Sequence, residues 1–186
     1  MQNPPTAPLL ALDAEAIQKA IRRMAHEIVE TQPELDRLIL AGIPTRGVEV
    51  ARRLADHIEK VEGIRPFDGV VDVSMHRDDL STRQRVTALV PTRLPMDLDG
   101  RPLILVDDVF YTGRSCRAAL DAITSFGRPS RIGLAVLIDR GHRELPIRAD
   151  YVGRNLPTAR NEKIRVRFEN LDGVPDSVHI VKPEAA

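Results

Sequence analysis

The stretch LILVDDVFYTGRS, Leu103 to Ser115, carries four apolar residues into two adjacent aspartates and then into a turn built on Thr112, Gly113 and Ser115. An unbroken apolar run of this length, with no polar alternation, suits a strand buried on both faces. Directly after it, Cys116, Ala119, Leu120, Ile123 and Phe126 recur at helical spacing before Gly127 and Pro129, which predicts a helix over Ser115–Phe126. A buried strand feeding straight into a helix is the repeating unit of a parallel sheet. The same unit recurs along the chain. Leu38–Ile43 reads as a strand followed by a helix over Thr45–Gly63 with Val48, Ala51, Leu54, Ala55 and Ile58 on one face, and Val70–Met75 and Ile132–Ile138 read as further strands. An amphipathic helix over Asp13–Glu30 presents Ile17, Ile21, Met24, Ala25 and Ile28. Alternation in Ile164–Asn170, together with SVHIV, predicts a C-terminal hairpin across Asp172-Gly173. The pattern predicts an α/β fold, a central parallel sheet flanked by helices. Residues 1–12, Pro-rich at the start, are expected to form a disordered tail, and 13–186 a single domain. Residues 76–102 are polar and broken by Pro91, Pro95, Gly100 and Pro102, which suggests a long loop acting as a lid.

In such sheets ligands sit at the carboxyl ends of the strands. Chemistry-bearing residues fall there four times: Thr45-Arg46-Gly47, His76 to Asp79, Asp107-Asp108, and Asp139-Arg140-Gly141. The turn after Asp108 has the makings of a phosphate site. A helix N-terminus offers free N–H groups and a positive dipole end, Gly113 permits close backbone approach, and Thr112 and Ser115 add hydroxyls. An N-cap role for Ser115 alone leaves Gly113 and Thr112 unexplained. The two carboxylates cannot face a phosphate directly. They suit Mg²⁺ or a pair of sugar hydroxyls, so a ribose 5-phosphate lying across the turn reconciles both halves. A phospho-receiver domain is the rival reading, because it too has a strand ending in paired aspartates; that pair normally stands near the start of a chain and lacks the Thr-Gly-x-Ser turn. Neither GxxxxGK[ST] nor GxGxxG occurs, which disfavours nucleoside triphosphatases and dinucleotide enzymes.

Charge refines the reading. The chain is neutral overall, 27 basic against 27 acidic residues, which argues against a protein basic throughout. Yet residues 128–167 hold ten Arg or Lys against four Asp or Glu, a local excess able to meet a polyanion. Most of the cations are Arg, which grips phosphate and carboxylate two-pronged where Lys cannot. No apolar run approaches the ~20 residues of a membrane span, and the start of the chain has no signal-peptide pattern. The single cysteine, Cys116, excludes an internal disulfide and fits a reducing cytoplasm.

VDDVFYTGRS resembles the signature of the type I phosphoribosyltransferases, which bind 5-phosphoribosyl-1-pyrophosphate (PRPP). Together with GIPTRG, RDDL, RMAHEIVE and the long run LAVLIDRGHRELPIRADYVGRNLPT, it is similar to the branch that combines uracil phosphoribosyltransferase activity with regulation of pyrimidine operons. The similarity runs from about residue 13 to 170. The resemblance implies the type I phosphoribosyltransferase fold with a small hood built from C-terminal segments. It implies conversion of uracil and PRPP to UMP and diphosphate with Mg²⁺ as cofactor, a homodimer or higher homo-oligomer, and binding of pyrimidine-operon leader mRNA promoted by uridine nucleotides, UMP or UTP. It assigns roles to residues. Asp107 and Asp108 bind the ribose hydroxyls and take part in holding Mg²⁺ with PRPP. Val109, Phe110, Tyr111, Thr112, Gly113, Arg114 and Ser115 form the PRPP loop, the last four cradling the 5-phosphate. Thr45, Arg46 and Gly47 form the pyrophosphate loop, where related enzymes have a non-proline cis peptide. Arg46 and Arg77 join the aspartates as catalytic residues, Arg77 from a lid over Met75–Arg85. Arg140 and Ile164 belong to the hood over uracil, and His26, Arg143, Arg148 and Arg154 to the RNA face. Position 111 is Tyr where purine phosphoribosyltransferases carry an aspartate regarded as the base, which disfavours the alternative of a hypoxanthine/guanine enzyme. His76 stands where the pattern usually has Tyr. A regulator that has lost catalysis is the other alternative.

Overall fold

The computed structural model describes residues 8–74 and 91–182. The expected lid, Met75–Arg85 with His76 and Arg77, lies outside them. The elements in order are β1 (Leu9–Leu12), α1 (Ala14–Thr31), β2 (Ile39–Gly42), α2 (Arg46–Glu62), β3 (Phe67–Val70), β4 (Pro102–Phe110), α3 (Arg114–Thr124), β5 (Arg131–Asp139), β6 (Tyr151–Asn155), β7 (Lys163–Arg167), α4 (Glu169–Asp172) and β8 (Ser177–Val181). Five strands form an all-parallel sheet in the order β3-β2-β4-β5-β6. Its central strands β2 and β4 are apolar over the length they pair with one another, Ile39–Gly42 and Leu103–Val106, as burial on both faces requires.

Two apolar layers sandwich the sheet. On one face Ile17, Ile21, Met24 and Ile28 of α1 and Val50, Leu54 and Ile58 of α2 pack against Leu40, Ile104, Val106 and Leu137. On the other, Cys116, Ala119 and Ile123 of α3 cover Leu103, Leu105 and Val136. Most of the helix positions expected inward from spacing are buried; Val48 and Leu120 are only partly so, and Phe126 is half exposed beyond the end of α3. Asp13 caps α1, its Oδ1 accepting from Ala16 N–H at 2.8 Å.

The second sheet is the hood, three antiparallel strands in the order β1-β8-β7. The expected C-terminal hairpin is present as the β7·β8 pair, with the short helix α4 interposed and closed by Gly173 at φ 66°. Leu9–Leu12, expected within the disordered tail, instead form β1 and pair with β8. The hood is therefore made from both ends of the chain, and Leu12, Val166, Phe168 and Val178 bury it against the α1–α2 layer.

Ion pairs complete that docking. Glu49 of α2 is only 5 % exposed. It accepts from Arg52 Nε at 3.0 Å, Arg53 Nε at 2.6 Å and Asn170 Nδ2 at 2.8 Å. Arg53 also donates to Asp176 and lies 4.5 Å from the centroid of the Phe168 ring.

Two strand boundaries differ from expectation. The strand expected at Val70–Met75 pairs with β2 over Phe67–Val70 instead. Val71 and Val73 are buried, but Asp72 N–H turns to Thr92 Oγ1 at 3.0 Å, so burial here continues past the ladder. β6 was not anticipated: at the sheet edge only Tyr151 and Gly153 are fully buried, with Val152 packed partly against the other layer, too few to show as an apolar run.

Candidate active site

Two strand ends, those of β4 and β2, meet at one cleft. β4 delivers the aspartates. It continues through Asp107 and Asp108 to Phe110, and its ladder with β5 pairs Asp107 with Val136 and Val109 with Ile138. Asp108 N–H donates to Asp107 Oδ1 at 2.9 Å, which orients the Asp107 carboxyl against the backbone of its neighbour. Burial pushes the Asp108 carboxyl above the ordinary aspartate range, while the hydrogen bond with Asp107 and the charge of Arg46 pull the other way. A desolvated carboxyl of this kind gains most when hydroxyls or a cation return what water has lost.

The phosphate loop follows. Gly113 sits at φ 95°, a left-handed conformation that β-carbon-bearing residues rarely adopt, and serves as the N-cap of α3 without any side-chain cap. Helix α3 begins at Arg114, one residue earlier than expected, so Ser115 is inside its first turn rather than at its cap. Arg117 N–H is the first to bond within the helix, donating to Gly113 O at 2.9 Å, and Arg114 N–H makes a long 3.4 Å contact with Thr112 Oγ1, so the N–H groups ahead of Arg117 belong to the end of the helix that suits an anion.

β2 delivers the third piece. The Pro44–Thr45 peptide is cis, as the resemblance implied for this loop. Gly47 lies so close to β4 that a Cβ there would stand 2.5 Å from the Val106 carbonyl oxygen. The missing side chain lets the start of α2 rest on the strand that carries the aspartates. Arg46 projects into the cleft, its Nη2 donating to Asp172 Oδ1 at 2.5 Å, while its buried Nε has no hydrogen-bond partner among the described residues.

The cleft itself is a cavity of about 500 Å³, with Arg46 and Asp108 on the sheet side and Ile164, Arg165, Arg167 and Asp172 among the hood residues facing them. Sequence reasoning found Arg46, Asp108 and Ile164 but missed the other three. The signal was available: Lys163, Arg165 and Arg167 alternate along one strand, and alternate residues share a face. Cations on both walls suit a polyphosphate.

Arg140 occupies the far side of the phosphate loop. It is 6 % exposed, donates from Nε to Thr158 Oγ1 at 2.9 Å and from Nη2 to Glu162 O at 2.7 Å, and lies 4.0 Å from the centroid of the Tyr111 ring. His142 meets the same ring edge-on at 5.6 Å and contacts Thr158 O at 2.5 Å. Arg140 thus pins the 158–162 segment over Tyr111. The β5–β6 loop is tied to the phosphate loop as well, because Glu144 N–H donates to Thr112 O at 3.0 Å and its carboxylate pairs with Arg114 at 3.0 Å.

The four residues expected on the RNA face do not form one cluster of contacts. His26 is exposed on α1, one turn beyond Arg23, whose Nη2 donates to Val152 O and Gly153 O beside the exposed Arg154. Arg148 is exposed on the β5–β6 loop. Arg143, on the same loop, pairs at 2.8 Å with Asp139, which is 3 % exposed and also accepts from Gly141 N–H.

Among the described residues no cluster of three or more His, Cys, Asp or Glu side chains could hold a metal by itself. Two carboxylates on the strand that leads into a helix N-terminus nevertheless fit Mg²⁺, which commonly takes one or two carboxylates and completes its shell with substrate phosphates and water. No helix among the described residues is long and apolar enough to cross a membrane.

Known proteins match this arrangement. Residues 11–170 match the phosphoribosyl transferase domain model. A bifunctional protein PyrR of Roseiflexus sp. (strain RS-1) is 52% identical over 174 residues, covering 94% of this chain and 95% of that protein. The bifunctional protein PyrR of Thermus aquaticus is 50% identical, covering 94% and 96%. Among solved structures, the hypoxanthine phosphoribosyltransferase of Trypanosoma cruzi in complex with the product IMP superposes with a TM-score of 0.69 at 16% identity, covering 99% of this chain and 95% of that one, a likeness of fold alone. With a family domain across most of its length and relatives at half identity end to end, the chain belongs to the phosphoribosyltransferases and, within them, to the PyrR proteins.

Proposed function

We propose that the protein transfers the 5-phosphoribosyl group of PRPP to uracil, giving UMP and diphosphate, and that uridine nucleotides held in the same cleft govern its binding to pyrimidine-operon leader RNA. The observation that supports the transferase reading is that Arg46 and Asp108 line one cavity, while the strand that carries Asp107 and Asp108 runs straight on into helix α3 opened by Gly113, groups suited to the diphosphate, ribose hydroxyls and 5-phosphate of one substrate.

In this reading the 5-phosphate takes the free N–H groups of α3 and the hydroxyls of Thr112 and Ser115. Asp107 and Asp108 accept from the ribose hydroxyls, which holds the anomeric carbon in place. As its bond to the diphosphate oxygen breaks, negative charge builds on the leaving group and positive charge on the ring. Arg46, already oriented on the cleft wall, stabilises the former. Asp107 and Asp108 would hold Mg²⁺ together with PRPP, and the ion supplies further neutralisation of the diphosphate. Tyr111, clamped between Arg140 and His142, brings an aromatic ring rather than a carboxylate to the base side, which favours a pyrimidine. Arg140 acts there by positioning the loop, and Ile164 lines the cleft from the hood. A second copy of the chain completes the proposed homo-oligomer.

UMP formation from uracil, PRPP and Mg²⁺, with hypoxanthine and guanine as competitors, tests the transferase reading; turnover of a purine in preference to uracil overturns it. EDTA is expected to abolish turnover and excess Mg²⁺ to restore it. A gel shift with the leader RNA, with and without UMP, tests the regulatory half, and retention that ignores the nucleotide overturns it.

A further inference from the structure

The anion already in the cleft is the protein's own. Asp172 places Oδ1 2.5 Å from Arg46 Nη2, at the position a ligand oxygen has to take to reach the same guanidinium edge. Both residues line the cleft with Asp108. A diphosphate entering that space meets Asp172 as a like charge, so the carboxylate and the diphosphate compete for Arg46.

We propose that Asp172 is a placeholder for the diphosphate: it holds Arg46 in the ligand-free protein and gives it up when PRPP binds. The inference rests on the phosphoribosyl-transfer reading for the identity of the ligand. Two observations favour an exchange over a permanent pair. The contact is one-sided, since the buried Nε of Arg46 has no partner among the described residues, and a diphosphate offers enough oxygens to meet both Nη2 and Nε. Asp172 also has a second anchor, because its Oδ2 accepts from Phe168 N–H at 2.9 Å and Phe168 is fully buried. Losing Arg46 therefore leaves Asp172 attached to the hood. The pair is half open to solvent, with side chains 34% and 21% exposed, so the competition it imposes is modest. Asp172 is a positioning residue that sets how readily PRPP binds and diphosphate leaves.

Asp172→Asn removes the charge and keeps an acceptor for Phe168 N–H. It is expected to lower KM for PRPP and the inhibition constant for diphosphate together, by roughly two- to five-fold, the scale of an exposed ion pair. KM for uracil stays put, and Asp172→Glu, which restores the charge, is expected not to show the tightening. A merely structural role would not move the two diphosphate-dependent constants in parallel. Unchanged or raised constants overturn the proposal, including a rise that excess Mg²⁺ reverses, which would make Asp172 a metal ligand. Titration calorimetry with Mg-diphosphate reads the same tightening without turnover, so failure of the transferase reading remains distinguishable. Should the Asn variant fold poorly, the wild-type protein decides: NMR signals of the Asp172 carboxylate and Arg46 Nε–H should both shift on saturation with diphosphate, and an Asp172 signal that does not move overturns the exchange.

Discussion

At the residue scale the site depends on what is left out as much as on what is present. Gly47 has no side chain because the Val106 carbonyl and the Asp107 Cα occupy that space, the latter 3.0 Å from where a Cβ would stand. Neither neighbour can yield, since both belong to the backbone of the central strand. Gly47→Ala must push the Arg46 loop away from the aspartates. Displacements near 1 Å at a reacting centre cost on the order of 100-fold in rate, so kcat/KM for PRPP is expected to fall by about that factor, with a loss of roughly 1–3 kcal/mol in urea unfolding. Wild-type kinetics in the Ala variant would show that the close approach is dispensable. Asp108→Asn separates binding from stability. It replaces a charged acceptor by a neutral one and should lower kcat/KM for PRPP roughly 10- to 100-fold. Because the charge it removes is a desolvated one, the melting temperature should hold or rise.

At the scale of elements, the hood is fastened to α2 through Glu49. Burial alone would raise this carboxyl, but the hydrogen bonds from Arg52, Arg53 and Asn170 and the charge of Arg52 outweigh it, bringing it down to about 2. A carboxyl held lower in the folded chain than in the unfolded one stabilises above the unfolded value, and that contribution is lost as pH falls toward the folded value. Glu49 should therefore support the fold fully at pH 7 and progressively less from about pH 4.5 down to about 2. Glu49→Gln is expected to lower the melting temperature by about 5–10 °C at neutral pH, on the order of 2–3 kcal/mol. The gap from wild type should close over that acid window; a gap independent of pH would mean that packing, not charge, is lost. Such a network was hidden in the sequence. Glu49 and Arg53 are a local pair four residues apart, but Asn170 stands 121 positions from Glu49 and Asp176 stands 123 from Arg53, so no local spacing announces the part of the network that fastens the hood. Within single elements the reading was much clearer. The buried stripes of α1 and α2 follow from helical periodicity alone, and β4 from its apolar run. β6 escaped because an edge strand with two fully buried positions has no periodic signature, although Gly153, whose Cβ would stand 2.5 Å from Leu137 O, marks the close approach.

Across the whole molecule, neutrality conceals an uneven distribution of charge, and the sheet topology explains where the cations go. Parallel strands send every βα turn to one end, so alternation of strands and helices in the sequence was enough to place Thr45, Asp107 and Asp139 together. The hood was only half legible, because β1 joins β8 across nearly the full length of the chain. Placing the basic residues on this frame separates two kinds of arginine within the proposed RNA face. Arg143, Arg148 and Arg154 are all exposed, but only Arg143 also holds buried Asp139, which fixes the Gly141 turn beside Arg140. On the RNA-binding reading, Arg148→Ala/Arg154→Ala should weaken leader RNA binding and flatten its dependence on log salt by roughly 1.5, about 0.7 per lost contact to single-stranded phosphate. UMP formation should be untouched. Arg143→Ala should behave differently: it strips the counter-charge from a buried carboxylate whose neighbours clamp Tyr111, so UMP formation should fall along with RNA affinity. Filter binding across a salt series, paired with initial rates, distinguishes the two. If Arg143→Ala lost RNA affinity with full turnover, the β5–β6 loop would be a passive surface; loss of both makes it the physical link between nucleotide cleft and RNA.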